Sequence, residues 1–569
     1  MALSSIYTVV NKHSRPIDTL YASLASAAYH FTLSSGMGVE HNYHVDSLAW
    51  SRPTRLLFAD SARGVYLYRL LQPLAPGDSM TLAFGAHYAA HGYPNDSPNN
   101  DLVANGTFLN STFQYFPSLC YQGNVELAND DMRKREYLPP WHGAPSLSDE
   151  SARANSTATC DADWVTFDAV LSTAPDQIAI APGTLEREWM DHGRRFFAYR
   201  TPRAIPKFYS IQSGHYVVRH DSAPGVAIDV YYQPGHEVDV DRMIEGAKRG
   251  LAYYGAHFSP YQFPQFRIVE FPRYQAFAEA FPGTVPFSEG LGFISRVRNS
   301  ENDIDWPLFA TAHELGHQWW GEQITPAEQQ GAAMLTESLA EYSALTIMEQ
   351  KYGAANLRKF LRYELDRYLV GRATERKQEV SLMRAAELSQ SYVFYNKGSL
   401  AFYALRDYIG EDSLNAALHR YLHDKAFQQP PYTNSRELLG YLRAVTPDSL
   451  QYVIHDLFET ITLYDNRATA ATASRRADGR YDVHLTFNAR KLQADSLGAE
   501  KEIPIADYID VGVFALNRPL AVRKVHVTQP TMSVDFVVAE RPTKAGIDPF
   551  NKLIDRAPED NVREVKLTP

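Results

Sequence analysis

The chain has 569 residues, of which 45% are hydrophobic, 21% charged and 12% aromatic. These are ordinary globular values that fill three or four domains at roughly 150 residues each and exclude a small stapled scaffold. Lys+Arg 55 against Asp+Glu 66 leaves a net charge of -11, and no basic run could track a phosphate backbone or an anionic leaflet, so nucleic acid is excluded as a partner. No stretch reaches the roughly 18 consecutive apolar residues of a spanning helix, and Met1 to Tyr7 lacks a basic region followed by an apolar core. The chain reads as soluble, with excision from something larger left open. Cys120 and Cys160 are too few and too far apart for a cysteine zinc site or a disulfide framework, and one bridge or two free thiols fit equally well. Asn-x-Ser/Thr triplets begin at Asn95, Asn105, Asn110 and Asn155 and carry weight only in a eukaryotic secretory host.

From Ile6 to about Ala204 short alternating runs dominate, such as Ile6 to Val10, Leu56 to Phe58, Val65 to Leu71 and Met80 to Phe84. Gly, Pro, Asn and Asp separate them, so this part is expected to be antiparallel β. Asn11 to Pro16 reads as the turn of an opening hairpin, which puts a strand almost at the first residue and leaves room for a strand upstream. Residues 96–161, rich in Asn, Ser, Asp, Pro and Gly, are expected to hold long loops. After Ile205 the pattern mixes: Val240 to Phe258 and Tyr274 to Phe281 look helical, with strands at Ala227 to Tyr232 and Phe266 to Phe271. Helical periodicity then holds from Trp306 to about Thr460, with runs at Ala332 to Tyr352, Ala355 to Leu369, Gly398 to Ile409, Ser413 to Asp424 and Ser435 to Val445. Alternation returns from Ala468, as in Tyr481 to Phe487, Tyr508 to Phe514 and Val525 to Val527. The expected fold class is α+β multidomain: a β domain over 1–203, a mixed and then helical domain over 204–465 and a β-sandwich over 466–569.

The sharpest chemical signal is His313-Glu314-Leu315-Gly316-His317. His-Glu-x-x-His arises by chance roughly 0.04 times in a chain of this composition. Asp305 can cap, Pro307 suits a first turn and Gly321 can end a helix, so the motif is expected on a helix of about fifteen residues. Positions four apart share a helical face, so His313 and His317 can reach one zinc ion, with Glu314 beside them to reach its water. Zinc in a catalytic site takes a third protein ligand, and Glu337, twenty residues on, is available on the next helix after Pro326 and Gly331 let the chain return. Glu341, one turn further on the same face, can accept the other N–H of a ligating histidine.

Together with Gln318-Trp319-Trp320-Gly321, Glu337 and Tyr395-Asn396-Lys397-Gly398, this pattern resembles the aminopeptidase N-like zinc gluzincins. The family's Gly-x-Met-Glu-Asn motif is replaced by Pro286-Phe287-Ser288-Glu289-Gly290, in which only the glutamate survives. The His317 to Glu337 gap equals that of thermolysin-like proteases, which also carry a carboxylate where Glu341 stands. Closer still is a bacterial group in which such a peptidase follows the membrane segments of an ABC-type permease. That likeness covers Gln323 to Glu349, Arg372 to Arg376, Leu463 to Arg467 and Gly546 to Lys552.

The resemblance implies a thermolysin-like catalytic domain and one Zn2+ per chain on His313, His317 and Glu337. It assigns Glu314 as general base, Tyr395 as donor to the oxyanion with Tyr392 as fallback, and Glu289 as holder of the substrate's α-amine. The implied function is a zinc aminopeptidase acting on peptides with a free N-terminus. A permease tether would put it on the extracytoplasmic side of a bacterial membrane. A thermolysin-like endopeptidase, or a peptide-binding partner of a transporter with little turnover, are the alternatives. His87 and His91 have metal spacing but lie beside a strand without a glutamate. Neither a dinucleotide fingerprint, a nucleophile elbow nor a phosphate loop is present.

Overall fold

The computed structural model describes residues 1–23, 41–60, 64–90, 102–103, 105–109, 115–120, 127, 130–158, 161, 164–272, 277–299, 303–375, 378–386 and 388–568. The fold is a mixed α/β multidomain one: β-rich at the start, mixed and then helical through the middle, and a β-sandwich at the end. No helix among the described residues is long and apolar enough to cross a membrane.

The first strands are β1 (Ala2–Val10), β2 (Ile17–Ser23), β3 (His41–Trp50), β4 (Thr54–Asp60), β5 (Val65–Leu74) and β6 (Ser79–Ala90). They form two three-stranded sheets, β1-β6-β3 and β2-β5-β4. The expected opening hairpin is therefore not formed: β1 pairs with β6 and β2 with β5. Asn11 explains the divergence. It is buried, its amide donates to the carbonyls of Arg15 and Leu74, and its backbone N–H goes to Asp78, so residues 11–16 carry the chain from one sheet to the other. Antiparallel strands β7 (Asp168–Thr173), β8 (Thr184–Asp191) and β9 (Arg194–Arg200) follow. The short strand Ile211–Gly214 still pairs with Ile178–Ile180 and Gly106–Leu109, so the β-rich part keeps the chain until Gly214. Within 96–161, residues 130–158 hold the short helix Asp130–Arg135, a helical turn at Glu150–Ala154 and otherwise irregular chain. Cys120 is disulfide-bonded. Cys160, His91, Asn95 and Asn110 lie outside the described residues, and His87 pairs with Asp46 at 2.7 Å.

The middle of the chain opens with β10 (Val217–Ala223), β11 (Val226–Tyr232), helix α1 (Val240–His257), β12 (Gln265–Phe271) and β13 (Thr284–Ser288). β10 is antiparallel to β11, while β11, β12 and β13 are parallel. Residues 277–281, expected as the end of a helix, are extended instead, with Ala278 opposite Phe287 and Phe281 opposite Thr284. Gln318 accounts for this, since its buried amide accepts from Gly283 N–H and donates to the Phe281 carbonyl, holding a hairpin where local propensity favours a helix. Residues 274–276 lie outside the described residues.

Next come α2 (Trp306–Gly316), α3 (Leu339–Tyr352), α4 (Ala354–Thr374), α5 (Gly398–Ile409), α6 (Glu411–Lys425) and α7 (Ser435–Val445). One apolar core, running from Ile228 to Leu463 and also taking in Leu492, Ala494 and Ile554, joins this sheet to these helices. A separate core starts at Tyr464. The change falls inside a single strand, β14 (Ile461–Arg475), which enters the sandwich with β15 (Tyr481–Ala494), β16 (Asp507–Ala515), β17 (Arg518–Val527) and β18 (Thr531–Val538). β15 pairs with both β14 and β18 in one sheet, and β16 with β17 in the other.

Candidate functional site

α2 is eleven residues long, shorter than the expected fifteen, and ends at Gly316 with His317 in the closing position. Asp305 starts it by accepting from Leu308 N–H at 3.4 Å, and Pro307 sits in the first turn. The same carboxylate accepts from Arg242 of α1 at 2.8 Å and from Tyr352 of α3 at 2.5 Å. One buried aspartate thus joins the start of α2 to both neighbouring helices. Gly316 lets α2 approach α3 closely: a Cβ there would stand 3.2 Å from Ala340 Cα.

His313 and His317 project from one face of this turn, with their Nε2 atoms 3.0 Å apart. Glu337 Oε2 lies 3.4 Å from His313 Nε2 and 3.3 Å from His317 Nε2. The outer nitrogens are held from behind. His317 Nδ1 donates to the Trp320 carbonyl at 3.0 Å, and His313 Nδ1 lies against Glu341. Both Nε2 lone pairs are thereby turned inward. Glu337 Oε2 is buried, and the two ring nitrogens face it. The three donor atoms form a triangle, 3.0 to 3.4 Å apart, a spacing that would suit one cation with ligand distances of about 2.0–2.1 Å. Two imidazoles and a carboxylate are a zinc donor set.

Glu314 is buried beside this triangle. Burial raises its pKa and the two histidines pull it back, while Glu337 and Glu341 push it up again, which leaves a carboxylate more basic than usual. For Glu337, burial works upward, but His317 and His313 hold it well below the usual carboxylate range. The Tyr395 ring lies 5.8 Å from that of His313 and its hydroxyl hydrogen-bonds Glu337. Burial and then Glu337 raise its pKa, so the phenol keeps its proton. Tyr392 turns elsewhere, donating to Glu375 at 3.3 Å.

Glu289, Glu337 and Tyr395 share one backbone feature: each lies in a π-helical turn, at Glu289–Phe293, Met334–Ser338 and Tyr392–Lys397. Such turns insert one residue into a helix and re-aim its side chains. Gly398 seats the third turn against the second, since a Cβ there would stand 2.2 Å from Ser338 Oγ.

Glu289 opens a turn that packs on α2. The charged residues acting on Glu289 are Glu270 and His236. The carboxylate in the field of Glu314 and Glu337 is Glu279, pushed up to about 8 by burial and by those two charges. It lies on the extended segment that Gln318 holds. No motif marks Glu279 in the sequence. Glu364 was also missed: Asn396 donates to it at 2.6 Å and it hydrogen-bonds Glu341. A signal for it existed, because buried Leu357, Leu361, Leu365 and Tyr368 mark the core face of α4 and Glu364 falls on that same face.

Residues 242–503 match the profile of the Peptidase family M1 domain. Among curated proteins, the chain is similar to human endoplasmic reticulum aminopeptidase 1, 25% identical over 234 residues that are 39% of this chain and 24% of that protein. It is also similar to aminopeptidase M1 of Arabidopsis thaliana, 23% identical over 270 residues, 46% of this chain and 30% of that one. The chain thus spans only about a quarter of the curated relatives it matches. The crystal structure of Legionella pneumophila aminopeptidase A in complex with aspartic acid superposes with a TM-score of 0.58 at 14% identity, covering 100% of this chain and 57% of that one. This last likeness is one of fold.

Proposed function

We propose, on the premise that the chain carries a Peptidase family M1 domain, that it is a zinc aminopeptidase releasing N-terminal residues from peptides. M1 peptidases are zinc metalloproteases, and the observation that carries the reading is the inward-facing triangle of His313, His317 and Glu337 with Glu314 and Tyr395 beside it. Zinc held there supplies Lewis acidity, polarising a carbonyl and acidifying water. Glu314, its pKa raised by burial, takes the proton from the attacking water and passes it to the leaving amine. Tyr395 donates its O–H to the oxyanion as negative charge develops. Glu341 and the Trp320 carbonyl keep both imidazoles in one tautomer.

A free α-amine is a cation, and a fixed carboxylate near the cleft sets the register from the amino end. Sequence position nominates Glu289 for this role. The resemblance to the permease-linked group supports a further reading, in which the full-length protein tethers this peptidase to a membrane permease on the extracytoplasmic side.

The test is metal analysis together with free and N-acetylated peptides of one sequence. One zinc per chain and cleavage confined to free N-termini are expected. Internal cleavage of acetylated peptides at equal rates would replace the aminopeptidase by a thermolysin-like endopeptidase, and metal binding without turnover would leave a peptide binder.

A further inference from the structure

We propose that His236, Glu270 and Glu289 form a second divalent-cation site, at the carboxyl edge of strands β11, β12 and β13, that takes a zinc-class transition-metal ion. The inference is independent of the peptidase reading. The three strands are parallel and adjacent, and each delivers one ligand at the same edge. His236 comes four residues after β11, Glu270 from the penultimate position of β12, and Glu289 directly after β13. In parallel sheets this edge is where ligands bind, because the chain leaves each strand there in a loop free to carry function.

One donor atom from each residue lies within 4.8 Å of the other two. Glu270 is fully buried and positioned from two sides: its Oε1 is 2.5 Å from His236 Nδ1 and its Oε2 accepts from Gln233 N–H at 2.6 Å. Glu289 is 9% exposed, and no described residue donates a hydrogen bond to its carboxylate. An unpartnered buried carboxylate is costly, and it is costlier beside a second one. Burial and Glu270 both raise the pKa of Glu289, with His236 acting against them. A dication joining the cluster would offset both carboxylate charges at once. His236, at 28% exposure of its side chain, keeps the cluster in reach of solvent.

The donor set decides the class of ion. One imidazole with two carboxylates suits zinc and its first-row neighbours, whereas calcium asks for about six to eight oxygens. Binding would replace the proton shared by His236 and Glu270, so the two donor atoms would separate by somewhat under 1 Å to reach the spacing that ligand distances of about 2.0–2.1 Å require. Metal uptake here would therefore release protons.

The experiment is a titration of the full chain, stripped with a chelator, with zinc alone, read by calorimetry and by metal content after gel filtration. Wild type should take two equivalents. His313→Ala/His317→Ala should keep one, and adding either Glu289→Gln or His236→Gln to that double variant should weaken the remaining equivalent at least tenfold. Glu270→Gln is not used, because a fully buried change can unfold the chain. Circular dichroism matched to wild type shows that the variants compared are folded. One equivalent in wild type with none in the double variant overturns the proposal. So does a second equivalent that survives either substitution at full affinity.

Discussion

Ser338, the residue after Glu337, donates its hydroxyl at 2.5 Å to the carbonyl of Phe394, the residue before Tyr395. The turns that carry the Glu337 carboxylate and the Tyr395 phenol are thereby joined through one buried hydrogen bond. Gly398 makes this possible by leaving no Cβ against Ser338. Replacing Gly398 by alanine should therefore lower kcat through the position of Tyr395 while zinc content stays near one per chain. Unchanged kcat in a folded Gly398→Ala would show that the two turns are not mechanically coupled.

Glu314→Gln should keep zinc and lose turnover by roughly 10²- to 10⁴-fold, the usual worth of a general base. The side chain lies beside the triangle without completing it. Metal loss in parallel with activity would make Glu314 a ligand instead.

Tyr395→Phe should lower kcat about 10²- to 10³-fold with little change in KM, since its O–H acts on charge that develops only in the transition state. Tyr392→Phe should change kcat little, because its hydroxyl is engaged with Glu375. A larger loss in the second variant would reverse the assignment.

Glu341→Ala should weaken zinc about 10- to 100-fold, as loss of a histidine's outer partner usually does. Glu364→Gln should have a smaller effect of the same kind, since Glu364 hydrogen-bonds Glu341, which lies against His313 Nδ1. Competition with a coloured chelator measures both. Equal affinity in wild type and Glu341→Ala would leave that glutamate a packing residue.

Asp555 makes stability depend on pH. Burial pushes its carboxyl up to about 6, against lowering by the Ala557 and Asn466 N–H groups. The unfolded chain gives up this proton near the ordinary aspartate value while the native chain keeps it until about pH 6. Over that window the unfolded state binds fewer protons, so stability is full below about pH 4 and falls as pH rises to about 6, by about 3 kcal/mol. Asp555→Asn should lack that slope, whatever constant offset it adds. Denaturant midpoints at pH 4.5 and pH 7 for both proteins measure the difference, and parallel pH curves would refute it.

Sequence by itself determined the elements whose signal is local. α5 and α7 begin and end where periodicity puts them, at Gly398–Ile409 and Ser435–Val445, because an amphipathic repeat and its caps lie within the segment that folds. The His-Glu-x-x-His spacing likewise brings two imidazoles to one face, since four residues are about one helical turn. Tertiary structure decided what no window of sequence contains. Gln318 turns residues 277–281 from the expected helix into an extended hairpin carrying Glu279. Asn11 sends β1 and β2 into different sheets. Glu289, legible as a lone carboxylate, meets His236 and Glu270 only because three parallel strands end side by side. In each case the partners are distant in the chain, and in the first two a buried polar group takes the conformation that satisfies its hydrogen bonds rather than the one its neighbours in sequence favour.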